Sequence, residues 1–500
     1  MLRSAAVFGV DAYPVDIEVD VSFGLPHFTM VGLPDATVRE SRDRVKAAIR
    51  NSGFDFPAHR ITVNLSPADV RKAGASFDLP IAVAILAAAG TVPRLDGGRI
   101  AVVGELSLDG AVLPTRGVLP IAAGLRRLNV PVLMLPAANA PEATLVRGLR
   151  VVPLRTLAEA GACLGGDSAS WPAAPPAARV PPSLPGTIPD LADTRGQSAA
   201  KRAIEIAAAG GHHLLLVGPP GTGKTMLARR LPGVLPPLTF DEALDATAVH
   251  SVAGLLPAGA GLLPERPFRA PHHTCSEAAL VGGGSMPRPG EISLAHHGVL
   301  FLDELPEFPR RTIEVLRQPL EEGRIRIARA AGSVTFPAAF TLVAAMNPCP
   351  CGFLGHPTRP CRCTPAQVQQ YQARLSGPLR DRIDLAVDVG PVPLETLSAP
   401  PGESSAAVRG RVTAARARQT ARGSILNARL PAAALARVTP LDDAGARCLA
   451  DASTRLGLSA RAVHRLLRVA RTVADLDDAD RVRADHVAEA AQYRHAVALR

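Results

Sequence analysis

At 500 residues the chain is too long for a single hydrophobic core and is read as several units. Its 47% hydrophobic and 20% charged composition excludes a disordered or fibrous protein, and no apolar run suits a signal peptide or a membrane span. A net charge of +10 suits an anionic partner such as nucleic acid, and seven cysteines suit a reducing cytoplasm better than a disulfide framework.

Residues 1–165 read as an α/β unit. Val15–Val21 alternates in strand fashion, Ala36–Asn51 is an amphipathic helix, and Ile61–Leu65 is a further short strand. Leu79–Gly90, the longest apolar stretch, has the length of a buried core helix. The segments GLPHFTMVGLPDATVRESRDRVKAAIRNSGFDFP, ITVNLSPADVRKAGASFDLPIAVAIL and GELSLDGAVLP resemble the N-terminal domain of the ComM/YifB family. These are bacterial Mg-chelatase-like AAA+ proteins. The resemblance implies a Lon-like α+β fold here, then a P-loop α/β domain and a C-terminal helical lid.

The Lon relation raises peptide hydrolysis by a Ser–Lys dyad. Lys72-x-Gly74-x-Ser76 resembles the segment carrying the Lon nucleophile, and a hydroxyl needs a base to take its proton. The Lon lysine belongs near Leu119, yet Pro114–Ala123 contains no lysine. Arg116 does not deprotonate, so the protease reading lacks its base.

Residues 166–188 are a Pro/Ala/Ser-rich linker, with Trp171 as a minor docking contact. The ATPase domain is expected over 189–395, opening with Arg195-Gly196-Gln197 and a helix over Ala199–Ala209. In Leu214–Thr225, LLLVGPPGTGKT, an apolar strand runs into Gly218-Pro219-Pro220-Gly221-Thr222-Gly223-Lys224-Thr225, a P-loop for ATP. The glycines let backbone N–H groups face the phosphates, Lys224 adds a charge, and Thr225 offers a hydroxyl to Mg²⁺. The pairs His272-His273 and His296-His297 are read as turn and interface residues, because adjacent side chains on extended chain point apart.

Val299–Leu302 is a buried strand ending in Asp303 and Glu304. Asp303 is expected in the Mg²⁺ shell, with Glu304 orienting and deprotonating the attacking water. Arg324, Arg326 and Arg329 precede a turn into Val334–Phe336, a hairpin whose arginines suit DNA phosphates. Thr341–Asn347 is another buried strand, and Asn347 matches the sensor-1 position holding the lytic water. Cys349, Cys351, Cys361 and Cys363 argue for tetrahedral Zn²⁺, with His356 a substitute ligand.

Ser376–Leu385 resembles the arginine-finger segment of chelatase-like AAA+ proteins, with Arg382 acting on a neighbour's nucleotide and Arg380 departing from the pattern. Residues 396–500 form the helical lid. Ser459 caps a helix that puts Arg461 in its first turn, where a cation is disfavoured unless an anion is near; the resemblance makes Arg461 the sensor-2 residue reaching the γ-phosphate. It implies a homo-hexameric ATPase that translocates single-stranded or branched DNA and drives branch migration in natural transformation. The alternative is a magnesium-chelatase motor subunit inserting Mg²⁺ into a porphyrin, which lacks the Lon-like domain.

Overall fold

A computed structural model describes every residue except 69–71, 73, 94–97, 176–187, 258–260, 285–286, 330–331, 424 and 496–500. The first sheet contains β1 (Leu2–Phe8), β2 (Asp11–Ser22), β3 (His27–Val31), β4 (Arg60–Ser66), β5 (Ile100–Val102), β6 (Val132–Pro136) and β7 (Arg150–Leu154). Their spatial order is β3-β4-β2-β1-β5-β6-β7. β2 pairs antiparallel with β1 and β4, and the other neighbours are parallel. The expected alternation lies inside β2, where Val15 and Ile17 are wholly buried. Helix α1 (Ala36–Asn51) starts where the Asp35 carboxylate accepts the Val38 N–H at 2.8 Å. The apolar run forms α2 (Asp78–Ala88), which is buried from Asp78 to Leu86. Trp171 docks on this unit: its indole N–H donates to the Cys163 carbonyl at 2.6 Å, and Arg150 covers the ring. Much of the expected linker lies outside the described residues.

The second sheet follows different logic. Strands β8 (Leu214–Val217), β9 (Phe268–Arg269), β10 (Val299–Leu302), β13 (Thr341–Met346) and β14 (Leu385–Asp388) run parallel in the order β9-β10-β13-β8-β14. Every residue of β8, β10 and β13 is buried, which explains their continuous apolar sequences. Between β10 and β13 the chain makes the hairpin β11 (Arg324–Arg329) and β12 (Gly332–Pro337). Two buried histidines fix the chain entering β13. His213 Nδ1 accepts the Leu342 N–H at 3.1 Å, and His296 Nδ1 accepts the Ala339 N–H at 2.9 Å. Burial pushes these imidazoles down to about 4 and about 3, with His297 adding to the shift of His296. Both therefore stay neutral acceptors.

Helices α3 (Val118–Arg127), α4 (Ser198–Gly210), α5 (Lys224–Ala228) and α6 (Phe240–Ala253) connect and cover the sheets. α3 packs on α6: Leu119 and Leu145 cluster with Ala243 and Leu262, and the Ser251 hydroxyl donates to buried Glu142 at 2.8 Å. The C-terminal part is helical: α7 (Ser405–Gly423), α8 (Asp443–Leu456), α9 (Ala460–Leu476) and α10 (Ala484–His495). The Ser459 hydroxyl accepts the Ala462 N–H at 3.3 Å, the expected cap of α9. Leu466, Val469, Ala470 and Val473 of α9 join one core with Ala203 and Ala207 of α4 and Val412 of α7. Among the described residues no helix is long and apolar enough to cross a membrane.

Candidate functional site

At the carboxyl edge of the second sheet, β8 feeds straight into the glycine-rich loop. A Cβ on Gly218 would lie 2.1 Å from the Val389 carbonyl oxygen, so only glycine lets the loop leave the strand beside β14. Gly221 and Gly223 take φ of +79° and +93°, the left-handed conformations that curl the loop around a ligand-sized space. Gln197 braces the loop from the start of α4, donating to Thr222 O at 3.3 Å and Gly390 O at 2.7 Å. That brace was not legible in the sequence, where Gln197 read only as the residue before a helix.

Four expected side chains converge there. The Lys224 ammonium donates to Gly218 O at 2.6 Å, Pro219 O at 2.8 Å and Asn347 Oδ1 at 3.1 Å. Burial lowers its pKa, and Asp303 and Glu304 oppose that shift. The Thr225 hydroxyl donates to Asp303 Oδ2 at 2.6 Å. This hydroxyl–carboxylate pair is an oxygen donor set of the kind Mg²⁺ uses beside nucleotide phosphates. Glu304 lies half exposed with φ +51° and ψ +46°, its carboxylate 3.4 Å from His273 Nδ1.

The expected arginines lie elsewhere. A cavity of about 590 Å³ is lined by Arg317, Arg382, Arg429, Arg461, Arg465 and Arg468, with His213 and Asp384 at its floor. His213 and Asp384 precede β8 and β14, so this cavity opens at the amino edge of the sheet, whereas the glycine-rich loop follows the carboxyl end of β8. Four strand residues separate the two edges by roughly 13 Å. Arg461, exposed, lines this cavity together with Arg382. Arg382 pairs with Glu321 at 2.5 Å and donates to Pro378 O at 2.7 Å. Arg380 turns back onto the carbonyls of Gln372 and Leu375. Arg465, one turn after Arg461 on α9, buries a terminal nitrogen that has no partner. Its i+4 spacing from Arg461 was the available signal, and sequence reasoning passed over it.

The hairpin divides its faces by strict alternation. Ile325, Ile327, Val334 and Phe336 are buried, while Arg324 and Arg326 are exposed. Arg329 pairs with Gly332 at the turn end of the hairpin, and its side chain lies outside the described residues. Arg324 pairs with Glu322 at 3.2 Å, and Arg326 makes no ion pair among the described residues. The basic helix α7 is tied down by comparison. Arg409 donates to Gly233 O, Arg411 pairs with Glu205 and Glu403, Arg416 donates to Ala208 O, and Arg422 pairs with Asp475.

The four clustered cysteines sit immediately after Asn347. Sulfur separations of 3.4 Å (Cys349–Cys351), 3.6 Å (Cys349–Cys361) and 3.6 Å (Cys351–Cys361) approach the roughly 3.8 Å edge of a tetrahedron with zinc–sulfur bonds. Cys363 completes the group, all ligand atoms lying within 4.8 Å of one another. His356 stands apart, its Nδ1 accepting the Arg359 N–H at 3.1 Å. The cluster leans on the phosphate loop, since a Cβ on Gly352 would lie 2.6 Å from Pro220 Cδ.

The paired histidines do not point apart: ring centroids are 4.1 Å (His272–His273) and 3.9 Å (His296–His297) apart. The second pair lies on a turn with His297 at φ +57°, where the extended-chain rule does not apply. Asp245 approaches both His296 and His297. His296 accepts a backbone N–H through Nδ1, so its other nitrogen carries the proton and is a poor metal ligand. In the first unit, Lys72 is wholly buried with its ammonium on the Pro67 carbonyl, and Leu119 is a core residue of α3.

Three family models match in chain order: subunit ChlI of Mg-chelatase over residues 17–139, magnesium chelatase subunit ChlI over 190–397, and its C-terminal part over 402–494. The chain is 47% identical over 498 residues to the YifB protein of Salmonella typhimurium, covering 99% of this chain and 96% of that one. It is 46% identical over 505 residues to the competence protein ComM of Haemophilus influenzae, covering 100% of this chain and 98% of ComM. A Lon protease of Chloroflexus aurantiacus is 31% identical over 130 residues, 25% of this chain and 16% of the protease.

Proposed function

The chain belongs to the magnesium-chelatase-like family that includes YifB and ComM, and from that premise we propose that it is an ATP-hydrolysing, ring-forming DNA translocase of the cytoplasm. The observation that carries this reading is the division of the site: Lys224, Thr225, Asp303 and Asn347 meet at one edge of the parallel sheet, and Arg382 and Arg461 at the other. Residues 1–165 are assigned to a Lon-like domain, 166–188 to a linker, 189–395 to the ATPase domain and 396–500 to the lid. The name of the relative ComM supports work on DNA taken up by competent cells, with branch migration the motor task. Likeness along nearly the whole of YifB and ComM favours this over a porphyrin-metallating motor. The likeness to Lon, confined to a quarter of the chain and without a lysine near Leu119, does not favour proteolysis.

In this reading the glycine-rich loop cradles the ATP phosphates and Lys224 exchanges its loop carbonyls for phosphate oxygens. Mg²⁺, held through Thr225 and Asp303, would neutralise charge between the phosphates. Glu304 takes the proton of the attacking water while Asn347 orients it. Arg382 and Arg461 serve the nucleotide of the adjacent subunit, because a sheet's length separates them from their own. Glu304→Gln is expected to bind ATP and to hydrolyse it about a hundredfold more slowly in a phosphate-release assay. Near-parental turnover would remove Glu304 from the role.

Arg382→Ala and Lys224→Ala subunits, each inactive alone, are expected to recover part of the ATPase in mixed rings that share an interface. Mixed rings of confirmed composition that stay inactive would rule out action across the interface.

The cysteine cluster is assigned to Zn²⁺, which suits four thiolates in tetrahedral array. Protein purified without chelator is expected to carry about one zinc per chain, and Cys349→Ser/Cys361→Ser to carry none. Elemental analysis finding no zinc in the parent protein would overturn the assignment.

Arg326 is assigned to the phosphate backbone of DNA, a contact that is electrostatic and largely indifferent to sequence. DNA is expected to stimulate the ATPase. Arg326→Ala should shallow the dependence of DNA affinity on salt and weaken that stimulation, leaving DNA-free hydrolysis intact. Parental affinity and stimulation in the variant would remove the hairpin from the DNA path.

A further inference from the structure

A two-stranded hairpin is not stable alone, and β11–β12 buries one whole face: Ile325, Ile327, Val334 and Phe336 are each 5% exposed or less. Part of the cover comes from the far end of the chain. Phe8 and Val10, flanking the tight turn between β1 and β2, pack against the cluster that holds these four residues. Between them Gly9 adopts φ +72°, and a Cβ there would lie 2.6 Å from Val334 Cγ1, 3.6 Å from Thr335 O and 3.9 Å from Val334 Cβ. The first domain's backbone is thus in direct contact with β12. That domain is itself anchored at a second place, through Leu119 and Leu145 on α6 and the buried Glu142–Ser251 hydrogen bond.

We propose that the β1–β2 turn is the seat of the hairpin, a positioning element that fixes how Arg326 is presented to a nucleic-acid phosphate backbone. The inference rests on the DNA reading of the hairpin and gives the Lon-like domain a mechanical role in it. Two anchor points hold the turn in the frame of the parallel sheet, so it cannot follow the hairpin. Alternation does the rest: pressing the apolar face against the turn leaves the Arg326 face outward. Glycine is required twice over, by its left-handed φ and by the side chain of Val334 facing it.

The test uses the full chain in a double-mutant cycle. Gly9→Ala should raise amide exchange of β12 on the order of tenfold by loosening its seat. It should also cut DNA stimulation of the ATPase about fivefold while DNA-free turnover stays within about twofold. Val334→Ala removes the atom that the new methyl meets, leaving contacts of 3.9 Å and 3.6 Å. With Val334→Ala measured alone as well, the double variant Gly9→Ala/Val334→Ala should lose less exchange protection and stimulation than the two single losses combined, because the clash is gone while the backbone strain and the missing valine remain, which independent folding defects would not do. Parental exchange in β12 of Gly9→Ala, or losses that simply add in the double variant, overturns the seat. If exchange follows the cycle but DNA stimulation is untouched by both Gly9→Ala and Arg326→Ala, the seat stands and the DNA reading of the hairpin falls.

Discussion

Strand direction is the constraint on which the rest of this molecule depends. All five strands of the second sheet run the same way, so each has its loop-forming carboxyl end on one edge and its amino end on the other. The residues following β8, β10 and β13 meet as Lys224, Asp303 and Asn347. The residues preceding β8 and β14, His213 and Asp384, instead floor the arginine cavity. The two groups therefore lie at opposite edges of the sheet within this chain.

Close packing around the phosphate loop gives the same edge its rigidity. Gly218 has no room for a methyl beside Val389, Gln197 clamps Thr222 to Gly390, and the cysteine loop presses Gly352 on Pro220. Lys224 is meanwhile fully engaged by carbonyls and by Asn347, so a buried cation is held without a carboxylate partner. Desolvation makes that arrangement costly and lowers the pKa of its ammonium.

The first domain is held to the rest of the chain by packing, with Leu119 buried against α6. The same surface anchors the domain and so keeps the β1–β2 turn against the hairpin.

Local physics was legible in the sequence. Strands buried on both faces read as the apolar runs Leu214–Val217, Val299–Leu302 and Leu342–Met346, because each face packs against a core. The glycine-rich loop was legible because left-handed backbone selects glycine, and the cap at Ser459 because a free N–H selects a hydroxyl. What the chain could not announce were encounters between residues distant along it: Arg382 with Glu321, Arg382 in one cavity with Arg461 and Arg465, Gly9 under Val334, and the seat of that cavity at the amino edge of the sheet. Those follow from strand order and domain packing. Their specificity lies in three-dimensional adjacency, which no local propensity or spacing encodes, so only the tertiary structure decided them.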